Sequence, residues 1–306
     1  MVSPVGLGCW QFAGGGVSSA FWKSPPQEEI NEIVAVSLAG GINWFDTAEG
    51  YGFGRSEQSL SAALTQAGKG DGDVVIATKW HPVLRTAASI AATFPSREKY
   101  LAPFHVDLLQ VHMPYSFSSV EAQMKAMADL LDAKKIKAVG VSNFSEAQMR
   151  RAHKALGARG FSLASNQVRY SLADRSIEKN GVLAAARELG ISIIAYSPLA
   201  QGLLSGRYHS DAAAVGRLPF LRRRRFGGLL EKTRPLVELL TSVAASHGAT
   251  PCQVALNWLI YRHGESVVAI PGATRVEQAR QNCRAMSFRL SAAEMAALDE
   301  ASGRLS

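Results

Sequence analysis

Short apolar runs alternate with stretches of helical hydrophobic spacing along most of this chain. The apolar runs predict strands at 5–12, 42–48, 73–79, 106–112, 136–143, 163–170, 191–199 and 266–272. Between them, apolar residues recur three or four positions apart, which predicts helices at 27–41, 56–68, 119–134, 145–157, 180–189, 232–247, 251–263, 275–285 and 291–302. Residues 80–102 have a weaker helical pattern, and 200–228 predict a long loop. Alternating strands and helices predict a parallel sheet covered by helices.

The number of strand–helix units favours one fold class. Eight units within 306 residues suit an α/β protein of the (β/α)8 TIM-barrel type, which typically needs about 250 residues. We therefore expect a single domain over 1–306, with its active site at the C-terminal ends of the strands. The alternative is a doubly wound open sheet, which would follow its first strand with a GxGxxG turn leading into a helix. The glycines at 14–16 do not form that pattern.

Composition argues against several classes of protein. Charged residues make up only 19% of the chain, so long disordered segments are not expected. No run reaches the about 18 apolar residues of a membrane span, and the first residues lack a secretory signal pattern. Cys9, Cys252 and Cys283 lie far apart without a CxxC pair. This cysteine usage favours a reducing, cytoplasmic setting and argues against disulfides and a metal site. With no predicted membrane span, we expect no membrane partner.

The net charge of +8 suggests an anionic partner, either nucleic acid or a phosphate-bearing cofactor. Part of the charge is concentrated in the arginine run 222–225. A nucleic-acid surface would interleave basic residues with exposed aromatic ones, and no such arrangement is visible. We therefore expect no nucleic-acid partner, and salt-dependent DNA binding would be the observation against this view.

Polar side chains recur where the predicted strands end. Asp46 and Tyr51 follow the second strand, Lys79 ends the third, and His112 ends the fourth. A single Asp after a strand often caps the next helix, and a single Lys there is usually solvated. Because the C-terminal ends of barrel strands meet on one rim, four such residues on three successive strands instead predict a shared site. We call these four residues the tetrad.

The residue types of the tetrad suit proton transfer to a carbonyl group. A free Tyr has a pKa of about 10, and an adjacent Lys cation favours the phenolate and lowers that pKa. An Asp beside the Lys keeps it charged and in place, and a His nearby can hydrogen-bond a substrate oxygen. No side chain supplies hydride, so a nicotinamide cofactor is implied.

The chain resembles the aldo-keto reductases in motifs distributed over nearly its whole length. In the family's order, the matching stretches are NWFDTAEGYGFGRSE, ATK, VDLLQVHMP, KAVGVSNFS, SNQVRYSL, IAYSPLAQGLLSGRY, PCQVALNWL and IPGATRVEQARQN. The resemblance implies that Tyr51 is the general acid, that Lys79 tunes it and that Asp46 pairs with Lys79. His112 would orient the substrate carbonyl. The implied activity is NADP(H)-dependent reduction of an aldehyde or ketone to the alcohol.

The resemblance also implies where the cofactor binds. Ser142, Asn143 and Gln167 match the positions that hold the nicotinamide carboxamide, and Tyr196 matches the aromatic residue that stacks on the ring. Matches to the pyrophosphate loop and the adenosine end are Ser197, Leu199, Gln201, Arg207, Gly272, Thr274, Arg275, Gln278 and Asn282. Helix N-termini attract anions and arginine grips phosphate in two places, so residues 274 and 275 favour NADP(H) over NAD(H).

The substrate is expected to be a small carbonyl or alcohol in an aromatic pocket. We expect the pocket to be lined by Trp10, Trp22, Trp80 and Tyr115, together with loop 201–226, although these tryptophans could instead pack against loops. The sequence does not select among sugar aldehydes, pyridoxal, steroids and other ketones. We expect a monomer or a weak homo-oligomer.

Two features of the resemblance leave alternatives open. The stretches GARGFSLASNQVRYSL and AYSPLAQGLLSGRY are most similar to the plant and cyanobacterial branch, which includes pyridoxal-reductase-like members. They are also similar to potassium-channel β-subunits, so a regulatory NADP(H)-binding module with slow turnover is the alternative function. The family usually begins with an N-terminal hairpin, whereas this chain starts almost directly at its first predicted strand, so we expect that hairpin to be absent.

Overall fold

Eight parallel strands form one sheet in which each strand pairs with the next along the chain. The computed structural model describes residues 1–14, 24–218 and 220–305. The strands are β1 (Leu7–Gly8), β2 (Trp44–Asp46), β3 (Val75–Trp80), β4 (Val106–Val111), β5 (Ile136–Ser142), β6 (Leu163–Arg169), β7 (Ser192–Tyr196) and β8 (Val267–Ala269).

Helices connect these strands and cover the outside of the sheet. They are α1 (Gln27–Ala39), α2 (Arg55–Gln66), α3 (Ala88–Leu101), α4 (Val120–Asp132), α5 (Glu146–Gly157), α6 (Ser176–Lys179), α7 (Val182–Glu188), α8 (Arg207–Ser210), α9 (Ala212–Gly216), α10 (Phe220–Phe226), α11 (Leu229–Ser246), α12 (Pro251–Tyr261), α13 (Val276–Arg284) and α14 (Ala292–Gly303). Local sequence fixes several helix starts. Ser145 and Gln148 form a capping box at α5, and Thr250 and Gln253 form one at α12.

Backbone hydrogen bonds join the first strand to the last. Gly6 N donates to Ala269 O at 2.8 Å, and Gly8 N donates to Pro271 O at 3.1 Å. Parallel bridges pair Val5 with Ala269 and Gly8 with residue 272. The sheet therefore curls until its edges meet, as the (β/α)8 barrel prediction requires. Neither this contact nor the consecutive strand order fits the alternative doubly wound open sheet.

The N-terminal end of the barrel interior is filled by an aromatic ring. Trp44, the first residue of β2, is 2% exposed and packs with Ile194 and Ile270 inside the barrel. A Cβ atom on Gly6 would lie 2.3 Å from the Trp44 ring, so only glycine fits beside it. The indole Nε1 donates to Ser3 O at 2.9 Å. Trp44 and Gly6 therefore form the barrel floor.

Two segments differ from the sequence prediction. Residues 10–12, predicted as the end of the first strand, lie in a 3-10 helix over Trp10–Ala13 that follows the short β1. The loop predicted at 200–228 instead contains a 3-10 helix at Ala200–Ser205 and the helices α8, α9 and α10. In α10 the buried Arg222 packs against the rings of Tyr208 and Phe226 and donates through Nη2 to Gln201 O at 2.6 Å. This distant contact makes one face of the arginine run part of the packed structure.

None of the helices in the described parts of the chain is long and apolar enough to cross a membrane.

Candidate active site

The C-terminal ends of β2, β3, β4 and β6 bring four polar side chains together inside the barrel. Lys79 of β3 forms an ion pair with Asp46, the last residue of β2, and both side chains are buried. Lys79 Nζ also donates to Thr47 O at 2.8 Å. The second carboxylate oxygen of Asp46 accepts from Gln110 Nε2 at 3.1 Å and from Gln167 Nε2 at 2.8 Å. Because each buried charge has several partners, the cost of removing the pair from water is offset.

Tyr51 reaches the same cluster from the loop that follows β2. Lys79 Nζ donates to the Tyr51 hydroxyl at 3.5 Å and lies 5.0 Å from the centre of its ring. The turn depends on Gly52, whose φ is 66° and whose position would bring a Cβ atom within 2.0 Å of Ala13 O. Glycine is therefore required for Tyr51 to point at the lysine.

Burial dominates the proton affinity of Tyr51. Burial raises the pKa of Tyr51, the Lys79 cation lowers it and Asp46 raises it, with a net pKa above the ordinary value. The expected lowering by Lys79 is present, but in this chain it is outweighed. Burial also lowers the pKa of Lys79, yet Asp46 and Tyr51 more than offset this, so the lysine pKa is raised. The phenol thus stays protonated beside a stable cation.

His112 follows β4 and lies against Tyr51. The two rings meet edge to face with centroids 5.4 Å apart, and His81 approaches the other side of His112 at 5.9 Å. Burial, and after it the charges of Lys79 and His81, hold the pKa of His112 well below its ordinary value. The imidazole is therefore neutral at neutral pH, and its buried Nδ1 has no hydrogen-bond partner within the described chain.

A chain of hydrogen bonds links the residues predicted to hold the nicotinamide. Tyr196 OH donates to Asn143 Oδ1 at 2.9 Å, and Asn143 Nδ2 donates to Ser142 Oγ at 3.1 Å. Ser142 Oγ in turn donates to Gln167 O at 2.9 Å. Asn143 has a φ of 60°, in the left-handed region that few residues other than glycine adopt. The structure brings these four residues together at the ends of β5, β6 and β7.

The residues predicted for the pyrophosphate follow β7 in an unusual backbone conformation. Ser197, Ala200 and Gln201 have φ values of 51°, 48° and 60°. Such conformations concentrate at functional sites, where the surrounding structure holds them in place. Gln201 Oε1 is buried with no hydrogen-bond partner among the described residues. Leu199 is half-buried, and Arg207, at the start of α8, is exposed.

The predicted adenosine end forms around the start of α13. Thr274 N and Oγ1 donate to Gln278 Oε1 at 2.8 and 3.1 Å, and Arg275 is exposed at the N-cap. Asn282 is buried, and within the described chain its Nδ2 has no partner. Gly272 is half-buried beside β1. Orphaned polar atoms at two predicted cofactor positions, Gln201 and Asn282, mean that the residues present fit a dinucleotide.

The aromatic residues predicted to line the pocket do not share one environment. The half-buried Trp10 lies near the tetrad, with its ring centroid 6.4 Å from that of Tyr51, and Tyr115 is 69% exposed at the mouth. Trp80 contradicts its prediction. Its ring is 2% exposed in the core and Nε1 donates to Ser89 Oγ at 3.0 Å, because strand alternation turns it away from Lys79 towards α3. Trp22 lies outside the described residues.

Comparison with known proteins identifies the family. The model of the Aldo/keto reductase family matches residues 4–302. The chain belongs to the aldo/keto reductase family. An uncharacterised oxidoreductase of Mycobacterium tuberculosis is 40% identical over 98% of this chain and 89% of the relative. The chloroplastic pyridoxal reductase of Arabidopsis thaliana is 31% identical over 98% and 83%.

Solved structures agree with this assignment. The glycerol dehydrogenase of Gluconobacter oxydans superposes with a TM-score of 0.83 at 27% identity, covering 99% of this chain and 92% of that one. The predicted family is thus confirmed. This aldo/keto reductase is an oxidoreductase, and its membership of the family supports reduction of a carbonyl group as the general reaction.

A second network of charges lies behind the tetrad of this aldo/keto reductase, on the outer face of β3. Glu57 accepts from Thr78 Oγ1 at 2.7 Å and lies 2.8 Å from Arg97 Nε. Arg97 Nη1 also donates to Glu49 at 2.6 Å, and Arg85 pairs with Glu49 from the solvent side. Glu49, Glu57 and Arg97 are buried. Burial raises the pKa of Glu57 to about 7 despite the neighbouring Arg97 and Thr78. We call Glu49, Glu57, Thr78, Arg85 and Arg97 the outer network.

Three residues of this reductase's site were missed by the sequence analysis. Gln110 supports Asp46, His81 contacts His112, and Glu49 accepts from His81 N at 3.1 Å. Gln110 did carry a signal, since it is a polar residue within an apolar strand, two positions before His112 and therefore on the same strand face. No comparable signal marked Glu49.

Proposed function

We propose that this aldo/keto reductase reduces an aldehyde or ketone to the alcohol with NADPH, and that Tyr51 donates the proton. The observation that carries the proposal is the position of Lys79 Nζ, which donates both to the buried Asp46 and to the Tyr51 hydroxyl. A cation held beside a half-buried phenol stabilises the phenolate that forms when a proton donor loses its proton. We place the active site at the C-terminal ends of the strands, in one domain over 1–306.

Each member of the tetrad has a distinct part in this mechanism. A bound nicotinamide would supply the hydride. Tyr51 stays protonated because its pKa is raised, and Lys79 stabilises the phenolate formed as the proton moves to the substrate oxygen. Asp46 keeps the lysine charged and oriented. The neutral His112 donates a hydrogen bond to the same oxygen and stabilises its developing charge.

The cofactor would be held along the ends of β5 to β8. Ser142, Asn143 and Gln167 would bind the carboxamide, and the Tyr196 ring would support one face of the nicotinamide. Arg275 supports the preference for NADP(H) over NAD(H), because it is exposed at the N-terminus of α13, where a phosphate is favoured by the helix dipole. The orphaned atoms of Gln201 and Asn282 would find partners on the dinucleotide.

The proposal is tested by titrating the protein with NADPH and NADH and then adding a panel of aldehydes and ketones to the NADPH complex. We expect NADPH to bind more tightly than NADH and to be consumed with at least one carbonyl. Tyr51→Phe should leave the NADPH dissociation constant nearly unchanged and lower kcat by about 10²–10⁴-fold.

Tyr261→Phe, which changes a phenol on α12 that donates to Met286 O, is the matched control and should keep full activity. Full activity in Tyr51→Phe would show that another group donates the proton. Tight NADPH binding without turnover of any carbonyl would instead favour a binding module.

A further inference from the structure

A cavity of about 450 Å³ opens among the segments that follow β4, β5 and β6. Its wall includes Tyr115, Asn143, Phe144 and Arg169. Asn143 is also the residue that binds the Tyr196 hydroxyl, so the cavity is next to the proposed nicotinamide position. Two aromatic side chains and one cation make this cavity suitable for a molecule with an apolar body and an anionic group.

Arg169 has no counter-ion within the described chain. No carboxylate lies at ion-pair distance from its guanidinium, and its buried Nε has no hydrogen-bond partner there. The guanidinium carbon lies 5.9 Å from the centre of the Tyr196 ring. By contrast, the buried Arg97 and Arg175 each pair with two carboxylates. The Arg169 side chain is half-buried, so a cation without a carboxylate partner is accessible at the cavity wall and can receive an anionic ligand.

The strand register places Arg169 on the side of the reacting groups. Gln167, two residues earlier on β6, points into the barrel and donates to Asp46 at 2.8 Å. Alternate residues of a strand share a face, so Arg169 points the same way, roughly 7 Å closer to the mouth. Its neighbour in the register is Tyr196, which packs on the interior cluster. An anion bound there would lie towards the same opening of the barrel as a carbonyl at Tyr51.

We propose that Arg169 forms an anion subsite and that the preferred carbonyl substrate carries a carboxylate or phosphate a few bonds from the reacting carbon. This inference rests on the proposed function and specifies its substrate class. The guanidinium would grip the anion through two N–H donors, while the exposed Tyr115 ring contacts the apolar part of the substrate.

The test compares charged aldehydes with neutral partners of nearly the same shape. The pairs are para-carboxybenzaldehyde with its methyl ester, and glyceraldehyde phosphate with glyceraldehyde. In Arg169→Gln, kcat/KM for the preferred charged member should fall by about 10- to 100-fold, while its neutral partner changes little. Whether the carboxylate or the phosphate is affected identifies the anion. Arg169→Lys should restore part of the loss.

Arg289→Gln is the matched control, because Arg289 also lies on a tyrosine ring, 3.3 Å from the centre of Tyr261, but outside the cavity wall. It should leave both members of each pair unchanged. Equal losses for charged and neutral aldehydes in Arg169→Gln would overturn the proposal and assign Arg169 to the support of Tyr196. A weaker NADPH dissociation constant with unchanged discrimination would also overturn it and assign the arginine to the cofactor.

A binding measurement separates this inference from the proposed function. Calorimetric titration of the NADP⁺ complex with para-carboxybenzyl alcohol and its methyl ester requires no turnover. Tighter binding of the acid, lost in Arg169→Gln, supports the subsite even if no aldehyde is reduced. Equal binding of acid and ester by the unmodified protein would exclude it even if neutral aldehydes are reduced rapidly.

Discussion

The two faces of β3 carry two buried charge networks built from adjacent residues. Lys79 faces the barrel interior and meets Asp46, whereas Thr78 faces outward and meets Glu57. The inner network is connected to the mouth by Tyr51, which is half-buried. The outer network is closed by Arg97, which lies between its two carboxylates.

The two networks differ in whether a reaction at the barrel opening could use their charges. The inner lysine still has a donor directed at a phenol outside its ion pair, so a reaction can use its charge. In the outer network Arg97 donates to Glu49 and forms an ion pair with Glu57, and Glu49 N also donates to Lys79 O at 3.2 Å. The outer network therefore holds the loop that carries Tyr51. We expect inner substitutions to change turnover and outer substitutions to change stability.

The largest effect is expected from removal of the inner cation. Lys79→Met should lower kcat by about 10²–10⁴-fold, because the departing proton would leave a phenolate without a neighbouring positive charge. NADPH affinity should change much less. Single-turnover reduction with saturating NADPH measures this, with the exposed Lys135→Met as control. Nearly normal turnover in Lys79→Met would remove the distinction between the two networks.

The second-largest effect is expected on stability, from removal of the cation of the outer network. Arg97→Met leaves two buried carboxylates without their shared partner and should lower the free energy of unfolding by about 3–5 kcal/mol, as breaking buried ion pairs does. Arg85→Met removes a half-exposed partner of Glu49 and should cost about 0–1 kcal/mol. Urea denaturation distinguishes them. Losses of equal size would mean that Arg97 is not the centre of the network.

The smallest effect concerns the pH dependence of the outer network. The pKa of Glu57 is raised by burial from 4.5 to about 7, so the folded state binds more protons than the unfolded state between these values. Stability should therefore fall as pH rises through this window, by the linkage between proton binding and folding. Glu57→Gln cannot titrate and should show a flatter pH dependence.

Thermal denaturation across this pH window, for Glu57→Gln, the exposed Glu300→Gln and the unmodified protein, measures the slope. Glu300→Gln should follow the unmodified protein. If Glu57→Gln does so as well, Glu57 remains ionised in the folded state and Arg97 outweighs burial.

The strand order and the tetrad could be predicted because both depend on short-range patterns. Apolar periodicity marks each strand and helix. A predicted strand that ends in Asp46 or Lys79 directly predicts polar side chains at the C-terminal end of the barrel. Alternation could also have been applied to Trp80, which follows Lys79 and must therefore face outward. That prediction failed because the end of the strand was considered without its side-chain register.

The outer network and the segment after β7 depend on contacts between distant residues. Glu49 and Arg97 are 48 positions apart, and spacing alone does not pair them. Similarly, Arg222 becomes buried only because Tyr208 and Phe226 enclose it, so a basic run that resembles a solvated loop forms a helix. The raised pKa of Tyr51 also depends on distant residues, since the burial that raises it is a property of the whole fold.

The ring of Trp44 against Gly6 gives the barrel the form of a cup with its opening at the tetrad end. In the proposed mechanism, a proton that leaves Tyr51 is replaced from the same side on which the substrate enters, since the Asp46 and Lys79 side chains below it are buried. The proton that restores Tyr51 and the departing product would therefore use the same opening. In that mechanism the loops around the opening set both the substrate preference and the access of the replacing proton.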